Sequence, residues 1–211
     1  MKRFLQIFLL LVLVSCSAGK ADYNLPEETF IVTVKKGADG RIFFQQDDNT
    51  ILYPLNYSRP YNGLQRIICG LAVHPGGQCG VLWMDFLEKG PTAAFSGQDL
   101  SSSGGIDVLE DWMTSVEDGF LTLHYATWWG DGSIQHSLSL VTGANPENPY
   151  ELWLIHSSNA DAALERADAL TYFDINDLPP TGAEYVNLIL KWKNGEGQIS
   201  GKTFRFRNRM D

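Results

Sequence analysis

The strongest constraint on the fold is a series of short runs rich in β-branched and aromatic residues, each followed by turn residues. Residues 37–40 (Gly-Ala-Asp-Gly) and 47–49 (Asp-Asp-Asn) are typical of tight hairpin turns. Five such runs lie close together, at residues 30–34, 42–44, 51–53, 66–73 and 81–87. Because five strands in so short a stretch suit a small closed sheet, we expect an OB-like five-stranded barrel over residues 29–89.

The second half of the chain repeats this pattern after a flexible stretch. Breaker residues at 90–91 and 101–105 predict a linker over residues 90–105. Further strand-like runs follow at residues 121–125, 136–140, 152–155, 186–190 and 204–206. Helical periodicity occurs only at residues 160–170, which is long enough for a turn or two. We therefore expect an all-β protein whose second domain, residues 106–211, is an antiparallel β-sandwich.

The N-terminus has the three parts of a secretory signal. Lys2 and Arg3 precede an apolar run that ends at Ser15-Cys16. Residues 13–16, Leu-Val-Ser-Cys, match a bacterial lipobox, in which the cysteine thiol is lipidated and becomes the new N-terminus. We expect a signal peptide over residues 1–15, lipid attachment at Cys16 and a tether over residues 16–28; the alternative is an ordinary signal peptide in which Cys16 is incidental.

Removing residues 1–15 leaves 14 basic and 25 acidic residues, so the mature formal charge is −11. A chain this acidic repels nucleic acid and anionic lipid surfaces, so we expect no nucleic-acid partner. No later apolar stretch is long enough to span a bilayer. Membrane attachment would therefore depend on the acyl chains of Cys16.

Two cysteines, Cys69 and Cys79, lie on either side of a predicted hairpin turn at residues 74–78. If the turn closes near Gly76, Cys79 pairs with a residue near Val73, and Cys69 with one near Trp83. The two sulfur atoms would then be too far apart to bond. We expect two buried free thiols; a disulfide would require a shifted register.

The order of these motifs resembles the NigD-like lipoproteins of Gram-negative gut and oral anaerobes. The lipobox, a short tether, residues 51–54 (Ile-Leu-Tyr-Pro) after a hairpin, the linker, and residues 152–156 (Leu-Trp-Leu-Ile-His) follow one another as in that family. The resemblance spans the mature chain and implies an N-terminal OB-fold followed by a C-terminal β-sandwich. It carries over no catalytic residue. The family's name comes from a gene beside a bacteriocin locus, which makes an immunity role one alternative.

The histidines and paired acids do not form a recognisable catalytic pattern. His124 and His136 flank one predicted hairpin and could lie opposite each other, but no third metal ligand follows from the spacing. His156, Ser157 and Asp161 invite a triad, yet neighbours on a strand point to opposite faces. The acid pairs at 47–48, 110–111 and 117–118 fit solvated turns better than a glycosidase cleft. We expect no enzyme activity, no metal and no cofactor.

Two features favour binding. Trp128-Trp129 directly precede a Gly130-Asp131-Gly132 turn, so at least one indole should face away from the core; the alternative is that Trp128 fills the sandwich and Trp129 covers a sheet edge. An OB barrel can bind extended ligands on one face, where Arg41, Arg59 and Arg66 are the only basic residues. We therefore expect an accessory or binding protein of the envelope, with a glycan, a peptide or an envelope protein as partner.

The segment after Cys16 bears on which way the protein faces. Residues 17–22 contain a single acid, Asp22, and a lysine, whereas surface-displayed lipoproteins of related bacteria carry acids directly after the cysteine. We expect an outer-membrane lipoprotein that faces mainly the periplasm. A tether of about a dozen residues reaches roughly 40 Å at most, since an extended residue spans about 3.3–3.6 Å.

Overall fold

The computed structural model describes residues 28–130 and 132–209. The predicted signal peptide, the lipobox with Cys16 and nearly all of the tether lie outside the described residues. Within the described part, no helix has the length and apolar composition needed to cross a bilayer.

The N-terminal domain is a closed five-stranded barrel, which confirms the OB-like barrel expected from the sequence. Its strands are β1 (Glu28–Lys36), β2 (Ile42–Gln45), β3 (Ile51–Pro54), β4 (Gln65–Val73) and β5 (Gln78–Phe86). They pair in the order β1-β2-β3-β5-β4, and β4 returns to β1. Alternate side chains point inward, so Val32, Val34, Phe44, Ile67 and Leu71 are fully buried and form the core.

Register explains why the two barrel cysteines do not bond to each other. Val73 pairs with Cys79 across the β4–β5 hairpin, and Cys69 pairs with Met84, close to the predicted register. Both cysteines are free and fully buried, as expected. Burial raises the pKa of the Cys69 thiol to about 12 and that of Cys79 to about 11. Neither forms the reactive thiolate at neutral pH.

The C-terminal domain is a sandwich of two five-stranded sheets. Its strands are β6 (Glu88–Lys89), β7 (Thr92–Ala94), β8 (Asp107–Val108), β9 (Ser115–Glu117), β10 (Phe120–Trp129), β11 (Ser137–Thr142), β12 (Glu151–Ser157), β13 (Glu165–Asp174), β14 (Val186–Lys193) and β15 (Ile199–Phe206). One sheet has the order β6-β13-β10-β8, with β9 also paired to β10, and the other has the order β15-β14-β12-β11-β7. Leu121, Leu123, Leu152, Phe173 and Leu190 fill the space between them. The predicted sandwich is confirmed.

The segment expected as a linker is built into the sandwich. Strands β6 and β7 pair in parallel with β13 and β11, so the chain crosses from one sheet to the other at Gly90-Pro91. The pairing of β12 with β14 is parallel as well, so the sheets are mixed rather than purely antiparallel. Only residues after β7, which include a short 3-10 helix at Leu100–Ser102, keep a connecting role. Residues 92–94 therefore form a strand at the edge of a sheet, although the composition of residues 90–105 predicts a flexible linker.

The helical turn expected within residues 160–170 is wrong. Residues from Glu165 onward form β13, which pairs with β10 over ten consecutive residues. This long ladder satisfies the backbone hydrogen bonds of both strands, whereas an isolated helix of one or two turns is marginally stable. Tertiary pairing therefore overrides the local pattern.

Several buried contacts join the barrel to the sandwich. Arg66, on β4, is 1% exposed, and its guanidinium donates to Thr33 Oγ1 at 3.1 Å and to Thr122 Oγ1 of the sandwich at 3.0 Å. Lys35 Nζ lies 2.6 Å from Asp118 Oδ1. Asp48 accepts hydrogen bonds from Arg207, at 2.8 Å, and from the Tyr185 hydroxyl. The expectation that Arg66 lies on an open barrel face is wrong, because this residue joins the two domains.

Candidate binding surface at the tryptophan end of the sandwich

Strand β10 ends in Trp128 and Trp129, which point to opposite faces because side chains alternate along a strand. Trp128 lies on the outer face and is 53% exposed. Trp129 points inward, packs against the sandwich core and donates from Nε1 to the carbonyl of Ala167 at 3.2 Å. The alternative in which Trp128 fills the core is therefore wrong, since Trp129 has that position.

Trp129 is held by a chain of buried polar side chains. Its indole stacks on the His136 imidazole, with 4.1 Å between ring centroids and 15° between planes. His136 Nε2 lies 3.1 Å from Asp161 Oδ2, and its Nδ1 lies 3.1 Å from His156 Nε2. The side chains of His136 and Asp161 are only 3% and 4% exposed. Both nitrogens of His136 are thus engaged.

This arrangement differs from both histidine hypotheses. His124 lies on β10, while His136 directly precedes β11 of the other sheet, so the two are not cross-strand neighbours. The His156 imidazole contacts His136 rather than a serine hydroxyl, and the Ser157 hydroxyl donates to Asn159 instead. Burial, with the nearby His136 imidazole, lowers the pKa of His156 to about 4. No group of residues within the described ranges could hold a metal ion.

Asp161 fixes the two loops at this end of the sandwich. Its carboxylate accepts from the backbone N–H of Gly130 at 2.7 Å and of Ala162 at 2.9 Å. Asn159 Nδ2 adds a bond to the carbonyl of Gln135 at 2.7 Å. The loops at 130–136, in which Asp131 lies outside the described residues, and at 158–164 are thereby tied together.

The end of β10 and these fixed loops carry three exposed apolar side chains. Trp128, Ile134 and Leu164 are 53%, 37% and 68% exposed, and Leu164 N–H donates to the Trp129 carbonyl. We call these three side chains the tip. Exposed large hydrophobic side chains at well-held strand ends and loops are typical of interaction sites.

Charged residues border Trp128 on the outer face of its sheet. Arg166 is its partner on β13 and bonds to Asp107 Oδ2 at 2.9 Å. His124 lies between Asp111 and Asp168, at 2.6 Å and 2.8 Å. Burial opposes protonation, but hydrogen bonds to the two carboxylates outweigh it and raise the pKa of His124. An exposed indole beside fixed polar groups can bind a ligand that has both apolar and hydroxyl surfaces.

The paired acids do not all lie in solvated turns as expected. Asp118 is 5% exposed and is bonded to Lys35, and Asp48 contacts Arg207. Burial, together with Asp47 and Asp48, raises the pKa of Glu117 to about 7. Asp118 and Glu117 act electrostatically on Arg66, which joins the two domains. Sequence reasoning missed this cluster because its members are far apart along the chain.

Comparisons with known proteins agree with this fold. The model of the NigD-like C-terminal beta sandwich domain matches residues 92–206. A candidate toxin-related protein from Parabacteroides distasonis is 21% identical with a TM-score of 0.73, and the match covers 86% of this chain and 94% of that one. A NigD-like immunity protein from Bacteroides caccae is 16% identical with a TM-score of 0.58, covering 85% and 96%. A candidate lipoprotein from Bacteroides fragilis is 12% identical with a TM-score of 0.56, covering 86% and 98%. A search of curated protein sequences found no match.

Proposed function

The chain belongs to the NigD-like family, and from this premise we propose that it is a lipid-anchored protein of the cell envelope that binds a partner and catalyses no reaction. The tip is the observation that carries this proposal. Trp128, at the end of β10, and Ile134 and Leu164, on the adjoining loops, are exposed to solvent, and the buried Asp161 carboxylate ties these loops together. A preorganised surface loses little conformational entropy when it binds.

The polar groups behind the tip support binding rather than catalysis. His136 has both nitrogens in hydrogen bonds to buried neighbours, so it has no free lone pair to take a proton from a substrate. Its imidazole instead supports the Trp129 indole. The chain Asp161–His136–His156 is therefore a scaffold for the tip.

We expect Trp128→Ala to remove partner binding while leaving the fold intact, because an exposed indole contributes little to stability but can supply much of an interface's binding energy. A photoreactive amino acid at Ile134 should give a discrete crosslinked species in native cells, and Trp128→Ala should abolish it. Trp83→Ala is the matched control, since this indole is 39% exposed and lies on β5 of the barrel. A crosslink that survives Trp128→Ala, or turnover of a defined substrate by the pure protein, would contradict the proposal.

Anchoring through Cys16 is the second part of the proposal. The lipobox at residues 13–16 supports it, as does the likeness to a candidate lipoprotein from Bacteroides fragilis. We expect Cys16→Ala to abolish acylation and to move the protein from the outer-membrane fraction to the soluble periplasm. Protease treatment of intact cells should leave the wild type undigested, with a known surface lipoprotein as the digested control. Digestion of most of the protein would mean that it faces outward.

A glycan is a second candidate for the partner. Trp128 pairs with Arg166, which bonds to Asp107, and Asp168 lies two residues beyond Arg166 on β13. Sugars stack on indoles and bond to such charged groups. The absence of binding on a glycan array would exclude this candidate, and binding that Trp128→Ala and Trp129→Ala both leave unchanged would exclude these indoles as the site.

An immunity role is a further alternative. The match to a NigD-like immunity protein is 16% identical, so that likeness shows the fold alone. Deleting the gene and measuring sensitivity to bacteriocins would decide it. Unchanged sensitivity would exclude this role.

A further inference from the structure

A slot of about 430 Å³ opens between the two sheets of the sandwich, on the side where the chain crosses at Gly90-Pro91. One wall is the inner face of β10 and β13, with Tyr125 and Ala169, and the other is the start of β11, with Leu138. The volume lies within the range of small-molecule sites, about 300–1,000 Å³. The slot is separate from the smaller cavity beside Glu117, which is lined by residues of the barrel and the sandwich.

Short edge strands leave this side of the sandwich open. In the described part of the chain, β6 pairs only with Thr171 and Tyr172 of β13, and β7 pairs only with residues 140–142 of β11. The segment from β6 to β7 therefore covers one end of the gap between the sheets. Next to it, the inner face of β13 has the small side chain of Ala169, whereas the buried Phe173 fills the core one turn of the pleat further on. The space that this alanine leaves unfilled is part of the slot.

The wall of the slot carries one buried polar group without a partner. Tyr125 is 7% exposed, and its hydroxyl makes no hydrogen bond within residues 28–130 and 132–209. Because a buried hydroxyl without a partner costs free energy, this group indicates that a molecule in the slot bonds to it. Burial, and then the charge of Glu88, raise the pKa of Tyr125. The phenol therefore keeps its proton at neutral pH and can donate it to an acceptor.

Glu88 places an acceptor close to this donor. It pairs with Thr171, which also lines the slot, and its carboxylate acts on Tyr125 electrostatically without bonding to it. A ligand hydroxyl can accept from the phenol and donate to the carboxylate at the same time. An ammonium ion would leave the buried phenol proton without an acceptor, and Glu88 would repel a carboxylate ion. The two side chains therefore favour an uncharged hydroxyl group.

The rest of the slot matches the two kinds of surface that a sugar has. Trp129, Leu138 and Pro91 contribute apolar surface, which can cover the C–H face of a pyranose ring. Gln135 and Ser137 are exposed at the mouth, and neither side chain is engaged in a hydrogen bond among the residues that the structure describes. Amide and hydroxyl groups can both donate and accept, which suits the remaining hydroxyls of a ring.

We propose that this slot binds a neutral sugar unit, with a ring hydroxyl held between Tyr125 and Glu88 and a C–H face of the ring against Trp129. The slot is distinct from the tip, because Trp128 lies on the outer face of the sheet and the slot lies on its inner face. Sugar binding here does not depend on the partner that the tip binds, so either proposal can fail without the other.

A nuclear magnetic resonance titration of the purified, ¹⁵N-labelled protein tests this proposal. The neutral probes are the methyl pyranosides of glucose, galactose and mannose. The matching methyl uronides are the anionic controls, and the matching 6-amino-6-deoxy glycosides are the cationic controls. We expect at least one neutral probe to bind and both of its charged counterparts to bind more weakly. The backbone signals that shift should belong to the residues that line the slot.

Variants of the slot test which atoms hold the sugar. Tyr125→Phe should weaken binding of the neutral probe at least tenfold without lowering the melting temperature, because this hydroxyl has no partner in the fold. Ala169→Leu should abolish binding by filling the slot. Tyr150→Phe is the matched control and should bind as the wild type does, since the Tyr150 hydroxyl donates to the Pro179 carbonyl outside the slot.

Trp128→Ala separates this site from the tip. The variant should bind the sugar with unchanged affinity even if it loses the crosslinked partner. Loss of sugar binding in Trp128→Ala would place the sugar on the outer face and overturn the proposal. Binding of no neutral probe, tighter binding of a charged counterpart, or unchanged binding by Tyr125→Phe would overturn it as well.

Discussion

Glu117→Gln should stabilise the protein at pH 8 by about 2 kcal/mol, a large gain for a single-atom change. The carboxyl is crowded by Asp47, Asp48 and Asp118 and partly removed from water, so its pKa is about 7 in the folded state against 4.5 in the unfolded chain. Such a difference corresponds to about 3 kcal/mol, reduced here for partial solvent exposure. Glutamine keeps the shape and removes the charge.

The sign of the effect determines its pH window. The folded state binds the Glu117 proton more tightly, so wild-type stability falls as pH rises from about 4.5 to 7. The variant should lack this decline and differ little from wild type at pH 4.5. His156 should make both proteins less stable in acid. Its pKa is about 4 in the folded state and 6.5 in the unfolded chain, so the free energy of unfolding should fall as the pH drops from about 6.5 to 4.

Urea unfolding at several pH values measures these differences. Glu110→Gln is the matched control and should follow the wild-type profile, because this carboxylate is largely solvated. A Glu117→Gln variant no more stable than wild type at pH 8 would mean that the folded protein accommodates the Glu117 charge.

Arg66→Met should destabilise the protein by about 3–5 kcal/mol and uncouple its two domains. Methionine retains much of the volume, but it leaves the Thr33 and Thr122 hydroxyls without this donor and removes the positive charge that acts on Glu117. Removing one member of a buried charged network leaves uncompensated charge in a site of low polarity. The contact with the Phe120 ring, 5.7 Å from the guanidinium carbon, is lost as well.

Differential scanning calorimetry tests the uncoupling. We expect one transition for the wild type and two for Arg66→Met, because the barrel and the sandwich would then unfold separately. Arg59→Met is the control, since Arg59 is exposed on the barrel and its replacement should change stability by less than about 0.5 kcal/mol. A single unshifted transition in Arg66→Met would show that the contact is dispensable.

Local patterns in the sequence account for most of the fold. Turn residues at 37–40 and 47–49 and the alternation in β1 and β4 predict the barrel, and the turn near Gly76 predicts the pairing of Val73 with Cys79. The helical turn predicted within residues 160–170 is the exception, because the structure has a strand from Glu165 onward. Their helical spacing is a local signal, whereas the ladder with β10 is a long-range one.

The two candidate sites depend on long-range contacts. Trp128 and Trp129 could be singled out because they precede a turn, but only the fold decides which of them faces solvent. Arg66 meets Thr122 across 56 residues of sequence, and nothing local distinguishes it from the exposed Arg59. The cavity beside Glu117 is lined by residues of both domains, so no local periodicity or motif in the sequence predicts it.

The crossing at Gly90-Pro91 limits how evolution can recombine this architecture. Gly90 N–H donates to Tyr172 in one sheet, and the Pro91 carbonyl accepts from Leu140 in the other. A side chain at Gly90 would collide with the buried Phe173 ring. A recombination event that joined a foreign barrel to this chain at residue 106 would remove β6 from one sheet and β7 from the other. The neighbouring strands β13 and β11 would then become exposed edges that can pair with other chains and aggregate. Viable shuffling of the two domains must instead break the chain before Glu88, so the connecting segment is inherited with the sandwich.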